Sequence, residues 1–162
     1  MTDHSDDFLQ EARALADEFE VLEGRRPRMY LAGLAPDDAA HTKTIAATVF
    51  SDMGWDVDVG PEADSAEGAA QDASDNDVHV IGFFPPEKEG REVFLSLVRA
   101  LADARREDIL IFAFGAAAEE DGAWYADHGA CAVCGAGTDL RRGCFRMLQA
   151  LVDMAGEEAR EG

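Results

Sequence analysis

The sequence predicts an α/β protein built on a doubly wound, five-stranded parallel sheet, and three features lead there. From residue 29 onward, short apolar runs alternate with longer segments of helical periodicity. The runs are apolar almost throughout, as strands covered on both faces require. Each is parted from the next by a helix-length segment, the crossover that parallel neighbours need.

The elements follow in order. Residues 5–22 read as a helix, with Ser5 or Asp6 as cap and Phe8, Leu9, Ala12, Leu15, Phe19 and Leu22 as its apolar stripe. Gly24 ends it, and Arg25-Arg26-Pro27 forms a short linker. Met29 to Leu34 reads as the first strand, and a helix over 40–53 sets Ile45, Val49 and Met53 on one face. A short strand over 55–59 leads to an alanine-rich helix over 64–74, and a third strand spans 78–84. The helix over 88–105 carries Phe94, Leu97, Val98 and Leu101 at i, i+3, i+4 and i+7. A fourth strand covers 109–114, a short helix sits near 119–127, and a fifth strand covers 130–134. The closing helix runs from Thr138 to about 155 with Cys144, Met147, Leu148 and Leu151 inward. Five such units behind an extra N-terminal helix give a flavodoxin-like fold with strand order 2-1-3-4-5. The chain thus divides into a helix and linker (1–24), the α/β domain (25–155) and a frayed tail (156–162). Ligands of such folds bind beyond the carboxyl ends of the strands, here the loops 35–41, 84–88, 114–118 and 134–138.

At 162 residues there is room for one domain with a real core. Acidic residues outnumber basic ones 34 to 14, a formal net charge of −20. That field repels phosphate backbones and anionic lipid, so nucleic acid and membrane surfaces are not expected partners. No run approaches the roughly 18 apolar residues of a membrane span. The acidic N-terminus lacks the apolar core of a signal peptide, so a cytoplasmic location is expected. Cys131, Cys134 and Cys144 form no disulfide framework. Cys131 and Cys134 make a C-x-x-C in a strand-like run, where positions three apart point to opposite faces, so they are read as two buried small residues rather than a redox or zinc motif.

Several blocks then resemble one family. Arg25-Arg-Pro-Arg28, Gly54-Trp-Asp-Val-Asp-Val-Gly-Pro61, Asn76-Asp-Val-His-Val-Ile-Gly82 and Arg106-Glu-Asp-Ile-Leu110 are similar to the cobalamin-binding domain of methylmalonyl-CoA mutases. Tyr125-Ala-Asp-His-Gly-Ala130 and Gly135-Ala-Gly-Thr138 resemble it too, so the likeness covers about residues 25–152. It implies the same five-unit fold. It also implies a loop of pattern Asp-x-His-x-x-Gly after the first strand. There the histidine would be the lower cobalt ligand, and the aspartate would orient its imidazole.

The chain departs from that pattern in three loops. Aligned without a gap, Asp37 takes the aspartate position, Ala39 the histidine and Thr42 the glycine. His41 lies two residues late, which turns it roughly 200° around a forming helix. It is read as a solvated residue of the first helical turn, with a cobalt ligand as the alternative. Where the family has Ser-x-Leu and Gly-Gly lining the nucleotide slot, this chain has Phe84-Pro85-Pro86 and Phe114-Gly115. Two rings would fill the slot, and two prolines lack N–H donors. Gly135, Gly137 and Thr138 keep the family character, which equally suits a tight turn capped by Thr138.

The expectation is therefore a degenerate cofactor site with no cofactor and no metal, and no catalysis by this chain on its own. His79 reads as a strand-flank residue and His128 as a helix C-terminal one. A partner or assembly subunit of an acyl-CoA mutase system is expected, with a homo-oligomer also open. The alternative is a cobalamin-binding subunit that complements a separate mutase barrel in methylmalonyl-CoA/succinyl-CoA isomerisation. A sensor of another small molecule is a third reading.

Overall fold

The structure, a computed structural model, describes residues 4–33, 39–60, 65–86, 89–135 and 138–161. The chain opens with α1 (His4–Glu23), β1 (Arg28–Gly33), α2 (Ala39–Asp52) and β2 (Asp56–Val59). Next come α3 (Ala66–Asp75), β3 (Val80–Phe84), α4 (Gly90–Asp103) and β4 (Leu110–Phe114). Two short helices, α5 (Ala116–Glu120) and α6 (Gly122–Asp127), precede β5 (Ala132–Cys134) and the closing α7 (Thr138–Glu161). All strand pairs are parallel and the order is β2-β1-β3-β4-β5, as expected.

Strand alternation divides the core into two layers. On one face Met29, Leu31, Val80, Phe112 and Phe114 meet α1, α2 and α7 through Phe19, Phe50, Met53, Met147 and Leu148. On the other, Tyr30, Ile81, Phe83, Ile111 and Ala113 meet α3, α4 and α6. Helix α3 presents only alanines inward, Ala66, Ala69, Ala70 and Ala73. Its Ser65 cap accepts the Gly68 N–H at 2.9 Å. The N-terminal helix packs on its own domain, mainly along α7.

Several expected details change. The inward face of α2 is Ala46, Phe50 and Met53, while Ile45 is 49% exposed. The helix is turned from the expected face by less than the 100° of one residue, since Met53 is buried and Val49 packs against the core as expected. That rotation brings the Phe50 ring against Phe112 and Phe114, which buries more apolar surface than Ile45 could. Leu22 is partly exposed because the α1 stripe runs Ala12, Ala16, Phe19 and on to Glu23. The single helix near 119–127 is two, parted at Asp121 (φ −108°, ψ 26°). Helix α7 continues to Glu161 rather than ending near 155, in keeping with the helix-forming Glu, Ala and Arg of that segment. Cys131 is exposed and precedes β5 instead of lying buried in it, and Cys134 is half-buried. Cys144 is buried as expected, and burial pushes its thiol pKa up, so it is an inert core residue.

The amino-terminal edge of the sheet is tied by charge. Arg106 donates to both Asp77 (2.7 Å) and Asp108 (3.1 Å), and Arg25 donates to the Asp77 carbonyl at 2.6 Å. Arg28 meets Asp58 at 2.7 Å, and Arg26 donates to the Gly54 carbonyl at 2.7 Å. His79 flanks β3 as expected, taking the Arg28 backbone N–H on Nδ1 at 3.0 Å. The neutral ring therefore carries its proton on Nε2, which faces Glu23 at 3.6 Å.

Burial is the main cause that lowers the His79 pKa from 6.5 to about 4. Between those values the unfolded chain binds the proton better. Stability is thus complete above about pH 6.5 and falls as pH drops toward 4. Urea unfolding across this window should show a loss of at most about 3 kcal/mol that His79→Gln removes. An identical pH slope in wild type and His79→Gln would refute the assignment.

Candidate functional site

At the carboxyl edge of the sheet, β4 reads Leu-Ile-Phe-Ala-Phe. A strand's period of two turns Phe112 and Phe114 to the same face, toward α2 and α7. Phe114 is 1% exposed and sits 5.7 Å from both Phe84 and Phe112, and 6.0 Å from Phe50, centroid to centroid. The Phe50 and Phe112 contacts are edge-on, near 90°, a favoured arrangement of ring quadrupoles. Four phenylalanine rings thus fill the space between this end of the sheet and α2.

Glycines admit the rings. A Cβ at Gly82 would meet Leu31 Cδ2 at 2.6 Å and Phe114 Cε1 at 3.3 Å, so β3 leaves a hollow where the neighbouring side chains settle. Gly143 of α7 lies against Phe112 and Cys134 in the same way. Gly115 leaves β4 at φ +112°, and a Cβ there would come within 2.5 Å of the Phe84 ring. Its N–H donates to the Cys134 carbonyl at 3.0 Å, and its carbonyl accepts the Glu119 N–H at 3.0 Å, closing the turn into α5. Past β3, Pro85 is buried and Pro86 half-buried, and neither offers an N–H.

Of the expected site residues, Phe84, Phe114 and Gly115 come together in this cluster. Pro86 stands apart, at the mouth of a groove of about 230 Å³ on the α4 side that Glu89, Arg91, Glu120 and Asp121 also line. Arg91 is held there by Asp121 at 3.0 Å and lies 5.0 Å over the Trp124 ring. His128 stacks on Trp124 at 4.1 Å and donates to its carbonyl through Nδ1 at 2.8 Å, closing α6 as a helix C-terminal residue should. Gly135 is buried under the Glu119 carboxylate, where a Cβ would find Oε2 at 2.5 Å. Asp37 and Gly137 lie outside the described residues. Ala39, His41 and Thr42 belong to the first turn of α2 and Thr138 opens α7, but their side chains also lie outside the description. Among the described residues, no group of three or more His, Cys, Asp or Glu side chains could hold a metal ion.

Phe50 and Phe112 were not singled out from the sequence. For Phe112 the signal was available: it stands two residues before Phe114 in one strand and so shares its face. For Phe50 the cue was ambiguous, because the expected face of α2 passed through Val49.

Comparison with known proteins finds a likeness to part of several methylmalonyl-CoA mutases. The chain is 39% identical over 113 residues to the methylmalonyl-CoA mutase large subunit of Propionibacterium freudenreichii subsp. shermanii, covering 70% of this chain and 16% of that protein. It is 34% identical over 135 residues to the methylmalonyl-CoA mutase of Cereibacter sphaeroides, covering 83% and 19%. It is also 34% identical over 127 residues to that of Escherichia coli, covering 78% and 18%. Its homologues are methylmalonyl-CoA mutases. The chain spans less than a fifth of the length of these mutases, so the likeness is to one region of them. No protein-family model matches it. No helix among the described residues is long and apolar enough to cross a membrane.

Proposed function

We propose that this chain is a non-catalytic relative of the cobalamin-binding region of methylmalonyl-CoA mutases, with its cofactor site closed by side chains, and that it acts as a partner or assembly subunit of an acyl-CoA mutase system. The observation that carries the reading is the burial of Phe114 among Phe50, Phe84 and Phe112. A corrinoid whose nucleotide tail lay between the sheet and α2 would have to expel that ring. Burial of a phenylalanine side chain is worth about 1.5–3 kcal/mol before any loss of ring contacts is added. The buried Pro85 and the glycine positions already occupied by neighbouring side chains count against a ligand in the same place. The residues present do not fit the group.

The second reading is a cobalamin-binding subunit that works with a separate mutase barrel. It is favoured by the degree of identity to the mutases over most of the chain.

A visible spectrum separates the two. The purified chain is incubated with hydroxocobalamin or adenosylcobalamin and desalted. Colourless protein is the expected result, together with co-purification of an acyl-CoA mutase subunit from the source cell. Retained colour with the spectrum of a histidine-ligated, base-off corrinoid would replace the first reading with the second.

A further inference from the structure

The two edges of the sheet are finished differently. β2 presents Asp56 and Asp58, charges of the kind that protect an edge from unwanted pairing. β5 ends the other side as Ala132-Val133-Cys134, half-buried and uncharged. The Cys131 N–H donates to the Ile111 carbonyl at 2.8 Å. The Gly115 N–H donates to the Cys134 carbonyl, so Cys134 and, by the alternation of a parallel ladder, Ala132 bond inward to β4, while the N–H and C=O of Val133 point away from the sheet.

Beside this open edge runs a groove of about 570 Å³ between β5, α6 and the first half of α7. Gly122, Ala126, Gly135 and Gly143 are among the residues that line it. Arg142 and Arg146, one turn apart on α7, flank it, and neither forms an ion pair among the described residues. Glu119 is the carboxylate on the same groove, lying over Gly135. Two arginines against one carboxylate make the groove locally cationic on a chain of net charge −20. The overall field is screened beyond about 8 Å at physiological salt, so contact-range arginines govern what settles there.

We infer that the β5 edge takes an extended, acidic segment of a partner protein, which adds a sixth strand and sets its carboxylates against Arg142 and Arg146. The main chain of Val133 would supply the pairing and the arginines the choice of sequence. A second copy offering its β2 edge is disfavoured because Asp58 of β2 is already held by Arg28 at 2.7 Å. The inference stands apart from the cofactor question, since an edge that pairs a strand makes no demand on the phenylalanine cluster.

Fluorescence anisotropy with a labelled nine-residue peptide alternating Glu with Val and Thr tests it, beside the same peptide carrying Lys for Glu. The acidic peptide should bind saturably, and the lysine peptide at least tenfold more weakly. Val133→Pro removes an outward N–H and no hydrogen bond to β4, so it should abolish binding while the thermal midpoint holds. Should that variant fold poorly, Arg142→Ala with Arg146→Ala must weaken binding at least tenfold and flatten its salt dependence. Failure of the acidic peptide to bind, equal binding of the lysine peptide, or binding that survives both sets of substitutions would overturn the inference. Self-association through this edge, seen by sedimentation and lost in Val133→Pro, would overturn it in favour of a second copy.

Discussion

Replacing Phe114 by alanine is expected to destabilise the fold by about 3–5 kcal/mol, the range for emptying a buried aromatic site. Phe114 is 1% exposed and touches three other rings, so little can collapse into the space it leaves. Phe84 is half-buried and should cost less on its own. The two rings are in contact at 5.7 Å, so the losses should not add. Urea unfolding of the single and double variants measures this directly. A loss below about 1 kcal/mol for Phe114→Ala would mean that the ring is not core. The reading of a closed site would then fail with it, because a ring that can leave cheaply does not bar a ligand.

Gly115→Ala should be nearly as damaging, for two separable reasons. At φ +112° an L side chain is strained, which costs on the order of 1–3 kcal/mol. The added methyl would also fall within 2.5 Å of the Phe84 ring, and forced overpacking adds about 1–3 kcal/mol. Removing the ring should relieve the second part and leave the first. Gly115→Ala placed in a Phe84→Ala background is therefore expected to cost less than in wild type. Equal costs in the two backgrounds would show that the ring does not lie over the glycine in solution. Phe84 and Gly115 thus act as one unit, a small residue accommodating a large one.

The location of the family likeness is itself informative. Arg25, Arg28, Asp77, His79 and Arg106 all belong to blocks by which the chain resembles the mutases, and all meet at the amino-terminal edge of the sheet. They hold the frame together through charge-assisted hydrogen bonds and a buried imidazole. Of the expected cofactor residues, Phe84, Phe114 and Gly115 stand at the opposite edge. The frame's contacts do not depend on what the carboxyl-terminal loops hold.

Strand count, strand order and the parallel sheet were legible because each rests on a local signal: apolar runs of strand length, helix-length crossovers, and glycines at turns. The inward face of α7 was legible for the same reason, since Cys144, Met147, Leu148 and Leu151 recur at helical spacing. The rotation of α2 was not, because Val49 and Phe50 are adjacent apolar residues and either could have faced the sheet. Rings on β4, more than 60 residues away in the chain, settled it. The division of the helix near residue 122 likewise depended on how Gly115 starts α5 early. By itself the sequence determined which segments pair and which faces are apolar, since those follow from periodicity within a dozen residues. Only the tertiary structure decided that Phe50, Phe84, Phe112 and Phe114 share one volume, and that the β5 edge lies open beside two arginines, because both depend on how distant segments pack together.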